Sequence, residues 1–139
     1  MMMRRANGVV AAIVLLLGSS AADATPSFML DRSQSRVLRL ANLYPDRDCH
    51  PASMTGRVVA RRFEPGGTSL TSVTLEDSSG RRTALNVHVE TRELGRYQID
   101  WIVEGLQTLF RQGNRVKVGV KLCGASGRVI MVDSVEPAR

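Results

Sequence analysis

Aromatic residues are scarce in this 139-residue chain, which has one tryptophan, two tyrosines and three phenylalanines. Proteins that bind single-stranded nucleic acids stack bases on exposed aromatic side chains, and each stacked base contributes about 1–3 kcal/mol. None of the six aromatic residues lies in residues 71–90, where two strands of the expected ligand face are predicted, and this argues against nucleic-acid binding.

Cysteine and histidine are also sparse, with two residues of each type. The sequence contains no C-x-x-C pair, no G-x-S-x-G nucleophile turn and no phosphate loop ending in G-K-[ST], so the commonest short signatures of metal, nucleophile and phosphate sites are missing. We expect no catalytic residue, no bound metal and no cofactor. A site built from Cys49, His50, His88 and Cys123 is the alternative that would make the chain a metal-dependent enzyme.

Long apolar segments are missing as well, since the run from Val9 to Leu17 has nine residues and a membrane-spanning helix needs about 20. Two arginines precede this run, and small residues ending in Ala24 follow it. That order is typical of a secretory signal peptide, here residues 1–24, cleaved before Thr25. The alternative is an uncleaved N-terminal anchor.

Cleavage would leave 139 − 24 = 115 residues, enough for one domain. It would remove two arginines and one aspartate, so the net charge would fall from +6 to +5. A basic surface favours anionic partners. In the periplasm or outside the cell, Cys49 and Cys123 are expected to form a disulfide, because such compartments are oxidising.

Five segments of the exported chain alternate between apolar and polar residues as strands do. The clearest is residues 81–90, in which Thr83, Leu85, Val87 and Val89 share one face. The other four predicted strands are residues 55–63, 71–77, 115–123 and 128–135. Glycine-containing turns join the second strand to the third and the fourth to the fifth, which predicts two hairpins.

One amphipathic helix is predicted over residues 100–114, between the third and fourth of these strands. Its apolar residues recur at helical spacing and are Ile102, Val103, Leu106, Leu109 and Phe110. Asp100 is placed to cap its start and Gly113 to end it at the C′ position.

This order of elements predicts a mainly β fold, a five-stranded barrel with one helix between strands 3 and 4. The run "LQTLFRQGNRVKVGVKL" resembles the passage from the helix to the fourth strand in OB-folds. The chain resembles an OB-fold-like exported bacterial domain. The resemblance covers roughly residues 55–137 and implies an OB-fold-like domain over residues 55–139. Residues 25–54 are then an N-terminal extension, helical or extended, and a small β-sandwich is the alternative fold.

OB-folds commonly bind ligands on the outward face of their second and third strands. The residues that the resemblance implies for this face are Ser72, Thr74, Arg82, Asn86 and His88. Such a polar, mildly basic face suits an anionic ligand, a glycan or a protein of the bacterial envelope.

These observations predict a non-catalytic exported binding module. The main alternative is a structural accessory subunit of an envelope or secreted assembly, contacting its partner through residues 25–54. The lesser alternative is the metal-dependent enzyme described above.

Overall fold

The computed structural model describes residues 25–139, so the predicted signal peptide, residues 1–24, lies outside the described residues. The described part of the chain contains seven strands and one helix. They are β1 (Ser27–Asp31), β2 (Arg36–Ala41), β3 (His50–Phe63), β4 (Leu70–Glu76), β5 (Arg82–Asn86), α1 (Arg96–Leu109), β6 (Arg115–Cys123) and β7 (Val129–Pro137). The prediction of a mainly β fold with one helix is confirmed.

The strands form one sheet in the order β1-β2-β7-β5-β4-β3-β6, with an additional pairing of β7 with β6. Neighbouring strands are antiparallel except β5 and β7, which are parallel. Because β6 pairs with both β3 and β7, the five strands from β3 to β7 return on themselves, and this part of the sheet is closed into a partial ring. The predicted number of five strands is corrected to seven, since β1 and β2 precede those five.

The long strand β3 is shared between two neighbours. Its first half pairs with β6 from His50 to Arg57, and its second half pairs with β4 from Arg57 to Phe63. At the change of partner lies Gly56, where a β-carbon would be 2.9 Å from the Glu76 carbonyl oxygen. Only glycine permits so close an approach of two backbones. The predicted start of this strand at Thr55 is corrected to His50, because β6 extends the pairing.

The helix α1 lies between β5 and β6, as the order of sequence segments predicted, but its predicted ends are wrong. It begins after Gly95, whose amide donates to Gln98 Oε1 at 2.8 Å, so Asp100 lies inside the helix and does not cap it. At the other end the C-cap is Phe110. Gly113 has a φ of +96° but belongs to the turn that leads into β6, where its amide donates to the Val58 carbonyl at 2.8 Å.

Residues 27–41 form the β1–β2 hairpin, which packs against α1. Leu40 is fully buried, as is Leu43 just after the hairpin, and both belong to the same apolar core as the β3–β7 ring. On the outside of this contact, the Phe28 and Trp101 rings stack with centroids 6.3 Å apart. The N-terminal segment thus supplies side chains to the core. That residues 25–54 are an extension of a separate domain stays a prediction.

The predicted disulfide between Cys49 and Cys123 is confirmed. Since His50 pairs with Leu122 in the β3–β6 ladder, the bridge joins the next pair of residues outward. It links two chain positions that are 74 residues apart.

Candidate functional site

The outward face of β3, β4 and β5 carries three transverse rows of side chains, set by the register of the strands. The first row places Glu76 of β4 between Arg57 of β3 and Arg82 of β5. Glu76 accepts hydrogen bonds from Arg57 Nη2 at 3.1 Å and from Arg82 Nε at 3.0 Å. These contacts fix the two guanidinium groups while leaving both side chains more than half exposed.

The middle row consists of small residues, and the third row is polar. Thr74 pairs with Ala60 on one side and Ala84 on the other, and the next outward residue of β4, Ser72, pairs with Arg62 and Asn86. We call these nine residues the outer face: Arg57, Ala60, Arg62, Ser72, Thr74, Glu76, Arg82, Ala84 and Asn86. The outer face is therefore a shallow strip with polar rims.

The electrostatics of the outer face are dominated by arginine, with three guanidinium groups and one carboxylate. The hydrogen bond from Arg82 lowers the pKa of Glu76; desolvation opposes this effect, and Arg57 reinforces it. Glu76 thus stays ionised at neutral pH. Within residues 25–139, Arg62 has no carboxylate within ion-pairing distance.

Four of the five residues predicted for the ligand face lie together on the outer face: Ser72, Thr74, Arg82 and Asn86. Asn86 also donates through Nδ2 to the Ile130 carbonyl at 3.4 Å, which ties the end of β5 to β7. Their role in ligand binding remains a prediction.

His88 is separated from this group, because the strand predicted over residues 81–90 ends at Asn86. Strand β5 ends at Asn86, and the last hydrogen bond to β4 is donated by the Val87 amide to the Thr71 carbonyl at 2.9 Å. Beyond it the chain turns toward the N-terminal segment, where the Glu90 amide donates to the Leu43 carbonyl at 3.4 Å. The His88 ring lies edge-on to Tyr44, with centroids 6.4 Å apart.

Sequence reasoning did not include Arg57 and Arg62, although both belong to the outer face. They are five positions apart, and strict alternation would put them on opposite faces. A register shift in the β3–β4 ladder between Val58 and Ala60 brings them to the same face. A β-bulge of this kind leaves no clear trace in the sequence.

The structure does not bring the cysteines and histidines together into one cluster. Among the described residues there is no cluster of three or more His, Cys, Asp or Glu side chains that could hold a metal ion. Both thiols are oxidised in the disulfide, so neither Cys49 nor Cys123 offers a thiolate.

No protein-family model, curated protein or solved structure matches the chain. Over residues 25–139, no helix is long and apolar enough to cross a membrane.

Proposed function

We propose that the chain is an exported, non-catalytic binding module of OB-fold-like architecture that binds an anionic polysaccharide on its outer face. The strands β3 to β7 would form the five-stranded barrel of that fold. Three features support this: the partial ring of strands, the parallel pairing of β5 with β7, and the single helix between β5 and β6.

We infer the class of ligand from the strip of Ala60, Thr74 and Ala84, which lies between two rows that contain arginine. Small side chains leave the middle of the outer face open to an extended chain. The two rims contain Ser72 and Glu76, which are four residues apart along β4. The distance between the rims is therefore about 13 Å. Successive acidic groups of one polysaccharide chain can therefore contact Arg62 on one rim and Arg82 on the other.

Arginine is well matched to such a ligand, because its planar guanidinium group donates paired hydrogen bonds to carboxylate, sulfate and phosphate groups. The strands β4 and β5 contain no aromatic residue on which bases could stack. These properties favour a polyanion recognised by charge and shape over a nucleic acid.

Binding of dextran sulfate and of uncharged dextran to the exported protein tests the proposal. We expect dextran sulfate to bind and dextran not to bind, with an affinity that falls as salt is added, because the contacts are exposed ion pairs. The double variant Arg62→Gln/Arg82→Gln should bind dextran sulfate about tenfold more weakly.

The matched control is the double variant Arg32→Gln/Arg96→Gln, which also removes two positive charges, at exposed positions outside the outer face. An equal loss of affinity in this control would show that net charge alone drives the interaction, whereas equal binding of dextran would show that charge does not drive it. Either outcome would contradict a site for an anionic polysaccharide on the outer face. Export is supported by the disulfide, since such bridges persist in oxidising compartments. A mature N-terminus other than Thr25 in protein isolated from its native source would contradict cleavage after residue 24.

A further inference from the structure

An open cavity lies where the end of β3, the loop of residues 64–69 and the last turn of α1 meet. It is shallow and open to solvent, has a volume of about 450 Å³, and its lining includes Arg61, Phe63, Thr68, Gln107 and Arg111. That volume is in the range of small-molecule sites in proteins.

The cavity contains two guanidinium groups, and no carboxylate is among its lining residues. Arg61 is half-buried; its guanidinium stacks over the Phe63 ring at 5.2 Å and donates from Nη1 to the Gln107 carbonyl at 3.4 Å. That is the one hydrogen bond its side chain makes within residues 25–139, although a guanidinium carries five N–H donors. Arg111 is exposed and forms no ion pair with any described residue.

The negative end of a helix would normally repel an anion, but here the carbonyl groups of the last turn already have partners. Asn114 Nδ2 donates to the Thr108 carbonyl at 3.0 Å and to the Leu109 carbonyl at 3.2 Å. Together with the bond from Arg61 to the Gln107 carbonyl, these contacts offset the partial negative charge of the helix end. The two arginines are the charged residues that line the cavity, and the carboxylate of Glu64 lies next to the lining residue Gly67.

The walls of the cavity are held in place without a ligand. Gln107 Nε2 donates to the Thr68 carbonyl at 2.7 Å, which ties the loop to the helix. The loop is also closed on itself by the hydrogen bond from the Glu64 amide to the Ser69 carbonyl at 2.9 Å. A site that is already ordered loses little entropy on binding.

Beside the arginines lies an apolar surface, since the Phe63 side chain is 37 % exposed. A ligand that fits both features carries a carboxylate next to an apolar group. We propose that this cavity binds a carboxylate of that kind, with Arg61 and Arg111 contacting the carboxylate and Phe63 contacting the apolar group. The C-terminal residue of a peptide and a free N-acylated amino acid share this chemistry.

Titration of the exported protein with N-acetyl-L-phenylalanine, with its amide and with a short peptide ending in phenylalanine tests the inference. The acid should bind at millimolar concentrations, and the amide, which lacks the charge, should bind at least about tenfold more weakly. A peptide that binds more tightly than the free acid identifies a peptide terminus as the ligand. Equal affinities identify a small acid.

Arg111→Gln is the informative variant, because this residue is exposed and its replacement leaves the core intact. It should weaken binding of the acid by about tenfold, and Phe63→Ala should weaken it as well. Arg62→Gln is the matched control, since Arg62 lies on the outer face next to Arg61 in sequence; it should not change binding of the acid.

The proposals about the outer face and the cavity can be tested independently. Arg111→Gln should leave dextran sulfate binding unchanged, whereas the outer-face double variant should leave binding of the acid unchanged. Equal binding of acid and amide, unchanged affinity in Arg111→Gln, or no binding of acid and peptide at millimolar concentrations would each overturn the inference about the cavity.

Discussion

Gly105 of α1 and Val37 of β2 lie so close together that no side chain fits between them. A β-carbon on Gly105 would be 2.9 Å from Val37 Cγ1 and 3.2 Å from Leu40 Cδ2. Val37 and Leu40 are both buried, so neither can move aside into solvent. The glycine allows the helix to rest directly on the N-terminal hairpin.

We therefore expect Gly105→Ala to destabilise the protein, although alanine is the better helix former. Overpacking of a core costs about 1–3 kcal/mol, and the gain in helix propensity is about 1 kcal/mol. A net loss of about 1 kcal/mol would lower the Tm by about 4 °C, which thermal unfolding followed by circular dichroism can measure.

A double-mutant cycle with Val37→Ala provides the control for this prediction. Removing the valine methyl groups makes room for the new β-carbon, so Gly105→Ala should cost less in the Val37→Ala background than in the wild type. A Tm that rises in Gly105→Ala would mean that the helix and the hairpin are not packed as described.

The Cys49–Cys123 bridge gives a second prediction, because it joins β3 to β6 at the end of their ladder. Removing a native disulfide from a small domain typically costs 2–5 kcal/mol. The double variant Cys49→Ser/Cys123→Ser should thus have a Tm at least about 8 °C below that of the wild type. Adding a reductant should lower the wild-type Tm by a similar amount and leave that of the variant unchanged; a reductant that moves neither Tm would show that the bridge is absent.

Strand β6 could be predicted to the residue, whereas the start of β3 could not. In "RVKVGVKLC" the residues Val116, Val118 and Val120 alternate with polar ones, and the structure buries all three. The start of β3, "HPAS", is exposed residue after residue and has no apolar alternation. It is extended because β6 provides hydrogen-bond partners, which is a tertiary effect that the local sequence does not encode.

The candidate site, too, could be predicted from the sequence only in part. The pairing of Ser72 with Asn86 follows from a regular hairpin around Gly80, which has the positive φ that the turn predicted. Arg62 reaches the outer face only because of the bulge in β3, and His88 leaves it because β5 stops at Asn86. The sequence contains the alternation of each strand, but bulges and strand ends depend on neighbouring strands.

Glu76 holds Arg57 and Arg82 on the outer face, and these contacts should make the stability of the folded protein depend on pH. The folded protein lowers the pKa of Glu76, chiefly through the hydrogen bond from Arg82. A carboxyl group with a lowered pKa stabilises the folded state above its unfolded pKa, and the contribution is lost as the pH falls through the folded pKa. The loss should begin near the ordinary pKa of glutamate, about 4.3, and continue below it.

The Tm of the wild type and of Glu76→Gln, measured between about pH 7 and about pH 3, tests this expectation. At neutral pH the wild type should be the more stable, because glutamine cannot form ion pairs with the two arginines. The difference should shrink as Glu76 becomes protonated, since a neutral carboxyl group and an amide interact similarly with the guanidinium groups. The matched control is Glu93→Gln, at an exposed position with no hydrogen-bond or ion-pair partner among residues 25–139; its Tm should follow the wild type at every pH. A difference between wild type and Glu76→Gln that stays constant down to the lowest pH would mean that the ion pairs of Glu76 do not contribute to stability.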